Sequence, residues 1–125
     1  MNSFLLVCIG GMIGTGARYL LSGGIHRLFE TPFPIGTFFI NILGSFLIGL
    51  FMEYALGRSY LSDSVRLMVA IGILGGFTTF SSFSYETIAL VRAGNLPWAA
   101  FNLILTNFLC LVSTLGGMKL ISFLK

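Results

Sequence analysis

Charged residues are scarce in this chain. The 125 residues include seven Lys or Arg and four Asp or Glu, which together make up 9% of the sequence. Soluble globular domains carry about 25% charged residues, so this composition argues against a soluble fold. The 56% of hydrophobic residues predict an integral membrane protein instead. The few basic residues form no stripe interleaved with aromatics, so a nucleic-acid-binding function is not expected.

Cysteines and mid-membrane ionisable groups are also scarce. The two cysteines, Cys8 and Cys110, lie in apolar segments and in no metal-ligand spacing, so neither a disulfide nor a metal site is predicted for them. No acidic residue lies near the centre of an apolar segment, whereas cation-coupled transporters and proton relays normally need a carboxylate or a His there. The sequence shows no nucleophile–base pair, metal cluster or phosphate-binding loop, so an enzyme is not expected. An anion or a neutral solute is the better candidate for transport.

Four long apolar stretches are present, and each is near or above the ~20 residues that an α-helix needs to cross the hydrocarbon core. The start of the chain lacks a basic n-region and an A-x-A-like cleavage site, so we interpret the first stretch as a retained spanning helix. The prediction is an all-α membrane protein with a single four-helix transmembrane domain over 1–125. The stretches cover residues 3–21, 35–56, 67–91 and 97–122.

Positive charges are balanced between the two ends of these helices. Short cytoplasmic loops normally carry an excess of Lys and Arg, and that bias sets the orientation. One face would carry Arg18, Arg27 and Arg92, and the opposite face Arg58, Arg66, Lys119 and Lys125. Three charges against four give no bias. Four helices are also too few to enclose a pathway alone, so we predict an antiparallel, dual-topology homodimer that reproduces the inverted repeats of larger transporters.

The segment 75–84 reads Gly-Gly-Phe-Thr-Thr-Phe-Ser-Ser-Phe-Ser in the middle of the third stretch. Glycine costs about 1 kcal/mol in a helix interior, and a glycine pair followed by hydroxyl side chains predicts a break in the third helix. Within a bilayer, non-helical backbone persists only where protein covers it or where it lines a water-filled cavity. Transporters bind ions at such breaks, so this segment is the predicted functional site.

Polar residues also occur inside the first two stretches. Asn41 shares a helical face with Thr37 and Ser45. Its amide serves either an interhelical hydrogen bond or an anion in a pore, and the residues alone leave these alternatives open. Arg18 ends the first stretch beside a tyrosine. It is either a topological anchor at the headgroups or a residue that draws anions into a vestibule.

The fourth stretch carries a polar stripe, because its polar residues recur at every fourth position. Such a stripe either packs hydroxyls against neighbouring helices or lines a pore. The stripe consists of Asn102, Thr106, Cys110 and Thr114.

Three phenylalanines, Phe77, Phe80 and Phe83, alternate with the hydroxyl pairs of the segment 75–84. A phenyl ring has a negative face and a positive edge, so its ring hydrogens can point towards a small anion. Phenylalanines in a membrane helix are otherwise lipid contacts or packing residues. Their position beside the glycine pair and between hydroxyl pairs favours contact with an anion.

Three motifs give the chain a family resemblance. Gly-Ala-Arg-Tyr at 16–19, Gly-Thr-Phe-Phe-Ile-Asn-Ile-Leu-Gly-Ser at 36–45 and the segment 75–84 resemble the Fluc (CrcB-type) bacterial fluoride channels in motif order and over essentially the whole length. The resemblance implies an antiparallel dimer in the bacterial cytoplasmic (inner) membrane, with two fluoride pores built from both subunits. It also implies a structural sodium ion on the two-fold axis and passive fluoride export that lowers toxicity.

The resemblance also assigns residues. Asn41 matches the pore amide, Phe80 and Phe83 match the pore phenylalanines, and the backbone carbonyls of Gly75 and Thr78 match the sodium ligands. The family's polar track along the pore corresponds to Ser81, Thr106, Cys110 and Thr114. Cys110 is the weakest match, because a thiol is a poorer donor than a hydroxyl.

Two other classes of protein remain as alternatives. A small multidrug exporter also has four helices and dual topology, but it carries a carboxylate in its first helix, and the first stretch here has none. A non-transporting subunit or assembly factor would leave the buried donors without a solute.

Fluoride is small and strongly hydrated, so a pore that prefers it must replace its water shell with donors at close range.

Overall fold

Four long helices make up the computed structural model, which describes residues 2–56, 58 and 60–124. Each helix is long and apolar enough to cross a membrane. The prediction of an all-helical protein with four membrane-length helices is therefore confirmed. These four spans are Ser3–Leu28, Ile35–Ala55, Asp63–Arg92 and Leu96–Leu124.

The first and third spans are longer than their apolar stretches. The first helix was predicted to end at residue 21 but continues to Leu28, because the polar turn that follows the apolar run contains no proline to stop it. The third helix begins at Asp63, four residues before its predicted start at residue 67. Ser62 caps this end, since its hydroxyl accepts a hydrogen bond from the Val65 N–H at 3.3 Å.

The third span contains three kinds of backbone. Its α-helical start passes into a π-helical stretch, Met68–Leu74, and a short α-helical piece, Gly75–Phe77, follows. Thr78 and Thr79 are then extended, with ψ angles of 157° and 110°. The helix resumes at Phe80–Arg92. The glycine pair is thus helical itself, and the two extended residues, which we call the Thr78–Thr79 break, come directly after it.

Glycines let the spans approach closely in pairs. The first span packs on the third and the second on the fourth. A Cβ atom placed on Gly14 would collide with the carbonyl oxygen of Ile73 in the third span, and one placed on Gly49 would collide with the backbone of Thr114 in the fourth. Backbone therefore meets backbone at these points, which is the usual role of small residues in membrane helix packing.

We expect Gly14→Ala to destabilise the protein by about 1–3 kcal/mol, because the added methyl group must push two backbones apart. Gly16→Ala is the matched control on the same helix, since a Cβ there would meet no atom of another described span within 4 Å. Thermal unfolding in detergent should show a lower melting temperature for the first variant only. Equal melting temperatures would contradict the close packing of the first and third spans.

Candidate functional site

A cavity of about 270 Å³, which we call the groove, lies between the second span, the Thr78–Thr79 break and the fourth span. Serine, threonine and asparagine residues line it together with two phenylalanines. Cys110 also lines the groove, whereas Ser81 and Thr114 do not. The groove brings together six of the residues predicted for the site, namely Asn41, Gly75, Thr78, Phe80, Phe83 and Thr106.

Asn41 pairs with the backbone of the break. Its amide nitrogen donates to the carbonyl oxygen of Thr79 at 3.0 Å, and its amide oxygen accepts from the N–H of the same residue at 2.8 Å. The Asn41 side chain and the Thr79 N–H and carbonyl groups are buried. The pairing therefore gives hydrogen-bond partners to backbone groups that have none within the helix. The interhelical hydrogen bond that the sequence left open is therefore present. One amide hydrogen of Asn41 remains beyond this pairing, because an amide nitrogen carries two.

The break diverts the usual donors of two carbonyl groups. In a continuous α-helix the carbonyl oxygen of Gly75 would accept from the Thr79 N–H, and that of Thr78 from the Ser82 N–H. Here the Thr79 N–H bonds to the Asn41 amide oxygen, and the Ser82 N–H bonds to the Thr79 hydroxyl at 3.2 Å. The two carbonyls predicted to bind sodium are thus among those that the break leaves without their helical donors.

The two predicted pore phenylalanines form a tilted pair. The ring centroids of Phe80 and Phe83 are 5.4 Å apart, with an angle of 41° between the ring planes. Phe83 is buried, whereas Phe80 is 73% exposed at the edge of the groove. The described residues therefore leave the groove open on the side of Phe80.

The remaining track residues differ in what their hydroxyls do. The one hydroxyl hydrogen of Thr114 lies between the backbone carbonyl oxygens of Ser45 and Cys110, at 3.1 and 3.0 Å from the hydroxyl oxygen, which is the packing role that the sequence left open for the stripe. Thr106 is buried and donates to the Asn102 amide oxygen at 2.8 Å. Ser81 is exposed, and its hydroxyl lies 3.3 Å from that of Thr79.

Thr79 is the residue that sequence reasoning missed. Its N–H and carbonyl pair with Asn41, its hydroxyl caps the helix that begins at Phe80, and it lines the groove. The signal was present, because a threonine before a helix start accepts a hydrogen bond from the third residue on, here Ser82. The sequence alone did not identify the cap, because several neighbouring threonines and serines can each cap a helix.

A second, larger cavity of about 780 Å³ lies between the first, second and third spans. Thr79 lines both cavities, so the larger one adjoins the groove. Arg18 lines it together with Glu86, whose carboxylate accepts from the Thr37 hydroxyl at 2.8 Å. The other carboxylate oxygen of Glu86 is buried and has no hydrogen-bond partner among the described residues. Arg18 thus lines the same cavity as this carboxylate.

Comparisons with known proteins agree over nearly the whole chain. Residues 5–118 match the model of the family described as CrcB-like protein, Camphor Resistance (CrcB). A protein of Geobacter sulfurreducens named fluoride-specific ion channel FluC is 47% identical over 118 residues, which cover 94% of this chain and 95% of that protein. The equally named protein of an Anaeromyxobacter strain is 45% identical over 124 residues, 99% of this chain and 98% of that relative. A Shewanella protein with this name is 43% identical over 97% of both chains.

Proposed function

The chain belongs to the CrcB-like protein family, and from this premise we propose that it is a fluoride-selective ion channel that lets fluoride leave the cell passively across the bacterial cytoplasmic membrane. The family resemblance predicted from the three motifs is confirmed. The relatives are named as ion channels, so the prediction that the chain is not an enzyme is also confirmed. The family assignment decides against the small multidrug exporter.

The groove is the observation that carries this proposal. It combines Asn41 with Phe80 and Phe83 along one cavity, and none of the described residues that line this cavity is acidic. The spare amide hydrogen and the positive ring edges are donors suited to an anion. Donors at short range would replace the water shell of fluoride, whose hydration is too strong for a pore with few contacts. The larger cavity with Arg18 would serve as the vestibule.

The open side of the groove supports the finer proposal of an antiparallel homodimer with two pores. Phe80 is a large aromatic side chain that the chain leaves 73% exposed beside the groove. A second copy, inserted in the opposite sense, would close each groove and give one pore per subunit. The balance of positive charges between the two faces allows both orientations.

The diverted carbonyls support a structural sodium ion. Gly75 and Thr78 offer backbone oxygens without their helical donors, and hard cations take oxygen ligands of this kind. Two breaks that meet at a two-fold axis would supply four such carbonyls. When bound, the ion would join the two subunits and would offset the cost of an anion in a low-dielectric interior.

Reconstitution in liposomes tests the proposed function. Purified protein should release trapped fluoride within seconds to minutes, whereas chloride should stay inside under the same gradient. Protein-free liposomes give the background. Equal rates for the two anions would refute fluoride selectivity, and no release of fluoride would refute the channel.

Dual topology is testable by labelling from the two sides of the membrane. In a background of Cys8→Ala and Cys110→Ser, we expect Ser62→Cys to react with a membrane-impermeant maleimide from both sides, with about half of the molecules reached from each. Ser62 lies just before the third helix, in the connection between the second and third spans. Labelling from one side only would contradict the antiparallel dimer.

Sodium should stabilise the dimer measurably. A ligand that binds only the folded state raises stability by an amount that grows with the logarithm of its concentration. We therefore expect the melting temperature of the detergent-solubilised dimer to rise when sodium replaces N-methylglucamine at constant ionic strength. Identical melting in the two cations would contradict a sodium site at the break.

A further inference from the structure

Asn107 is a polar residue on the exposed face of the fourth span, near the middle of the membrane. It is the twelfth of the 29 residues of this span, Leu96–Leu124. At a rise of 1.5 Å per residue it lies about 5 Å from the centre of the span. Residues 100–116 are all described, and every other exposed residue among them is apolar or glycine. Asn107 is therefore an isolated amide on an otherwise apolar surface.

An exposed amide at this depth needs surroundings that lipid does not provide. A polar group moved into hydrocarbon without a hydrogen-bond partner is costly, so polar residues of membrane spans face the protein interior or a water-filled cavity. Asn107 is exposed in the chain and does not face its interior. It does line the groove. The groove is therefore the polar environment that the chain offers to this side chain.

The side chain of Asn107 makes one hydrogen bond among the described residues, and that bond is to its own helix. The amide nitrogen donates to the carbonyl oxygen of Leu103 at 2.6 Å. This carbonyl would accept from the Asn107 backbone N–H in a continuous α-helix, but that N–H bonds to the Ile104 carbonyl at the end of a π-helical stretch. The bond uses one hydrogen of the amide group, and the second hydrogen remains available.

The other fourth-span residues that line the groove among the described residues are poorer donors. They are Thr106 and Cys110. The Thr106 hydroxyl has one hydrogen, which it donates to the Asn102 amide oxygen. The thiol of Cys110 is a weak donor. On the wall formed by the fourth span, Asn107 is thus the residue with an uncommitted N–H hydrogen.

We propose that Asn107 is the residue of the fourth span that contacts fluoride, and that it helps to set selectivity against larger anions. This inference rests on the proposed function. Asn41 has a spare amide hydrogen on the second span, so the groove would offer one amide donor from each of two spans. Selectivity depends on the number and field strength of the coordinating groups. Fluoride is smaller than chloride and approaches both donors more closely, so it gains more from the second amide.

Asn107→Leu tests this proposal by fluoride efflux from liposomes. Leucine is similar in size to asparagine and the position is exposed, so the variant should fold and dimerise. The fluoride rate should fall about tenfold, because a hydrogen bond to a charged group is lost. The slow leak of chloride should not change. Leu111→Ile is the matched control one turn along the same face, since Leu111 is exposed and does not line the groove, and it should keep the wild-type rate.

Two outcomes would overturn the inference while the channel stands. One is a wild-type fluoride rate in a dimeric Asn107→Leu protein, which would mean that the amide contacts no fluoride. The other is a loss of flux that accompanies a loss of the dimer in size-exclusion chromatography, which would mean that Asn107 joins the two copies. A wild-type protein that releases no fluoride would instead refute the proposed function, and this inference with it.

A spectroscopic measurement on the wild-type protein does not depend on how Asn107→Leu folds. In protein labelled with ¹⁵N-asparagine, the side-chain amide signal of Asn107 should shift as sodium fluoride is added, and sodium chloride should leave it in place. The signal is the one that disappears in Asn107→Gln, which keeps an amide group at this position. An Asn107 signal that does not respond to fluoride would overturn the inference.

Discussion

Phe80→Ile should pass fluoride at least ten times more slowly than the wild type while it folds and dimerises normally. The substitution keeps apolar bulk but removes the ring, and with it the positive edge that would contact an anion. Phe80 is 73% exposed in the chain, and swaps that conserve volume usually cost less than ~1.5 kcal/mol. A loss of fluoride flux would therefore result from the lost ring in the pore and not from a destabilised fold. Fluoride efflux and size-exclusion chromatography on the same preparation measure the two effects.

A matched phenylalanine serves as the control for this prediction. Phe4 is 69% exposed and lines neither cavity, so Phe4→Ile should retain the wild-type rate. Phe83→Ile should lose flux as Phe80→Ile does, with a larger cost in stability because Phe83 is buried. A stable Phe80→Ile dimer with wild-type flux would refute the ring-edge mechanism. Flux that disappears only together with the dimer would mean that the phenylalanines are packing residues.

Asn41→Asp should reduce fluoride flux by two orders of magnitude or more, the largest effect that we expect from a single substitution. The carboxylate keeps an acceptor for the Thr79 N–H but loses the donor to the Thr79 carbonyl. It also places a negative charge in a buried groove, where like charges interact strongly. An anion is therefore repelled, and the break loses one of its two bonds to the second span at a cost of about 1–3 kcal/mol.

Asn41→Leu separates the charge from the lost donor. It removes both hydrogen bonds to Thr79 without adding a charge, so it should also lose most of the flux if the amide is required. Efflux from liposomes and thermal melting are again measured together. If Asn41→Leu retains fluoride flux and Asn41→Asp loses it, the pore requires only that position 41 carry no negative charge, and the amide is not needed. Wild-type fluoride flux in Asn41→Asp would show that Asn41 does not line the pore.

Much of the fold was predictable because its signals are local. A run of about 20 apolar residues must be a spanning helix, since the bilayer provides no partner for unbonded backbone groups. The ends of the helices were less predictable. The first helix continues to Leu28 and the third begins at Asp63, because a helix ends where its hydrogen bonding ends, and hydropathy records only where lipid contact ends.

The sequence predicted which polar and aromatic residues would lie near one another, but not how their hydrogen-bonding groups are paired. Six predicted residues meet at the groove, but the break lies at Thr78 and Thr79 and not at the glycine pair. Glycine weakens a helix without ending it. Asn41 ends it by offering an alternative partner to Thr79, 38 positions away in the chain, and no local pattern contains that pairing.

The sequence by itself determined that this is a four-span membrane protein, that it belongs to its family and where the polar residues of the site lie along the chain. These follow from composition, segment length and motif order, which are properties of the chain read from one end to the other. Only the tertiary structure decided which donors are already used. The pairing of Asn41 with Thr79 and of Asn102 with Thr87 depends on how the spans pack, and a hydroxyl or amide has too few hydrogens to serve every partner that its sequence position allows.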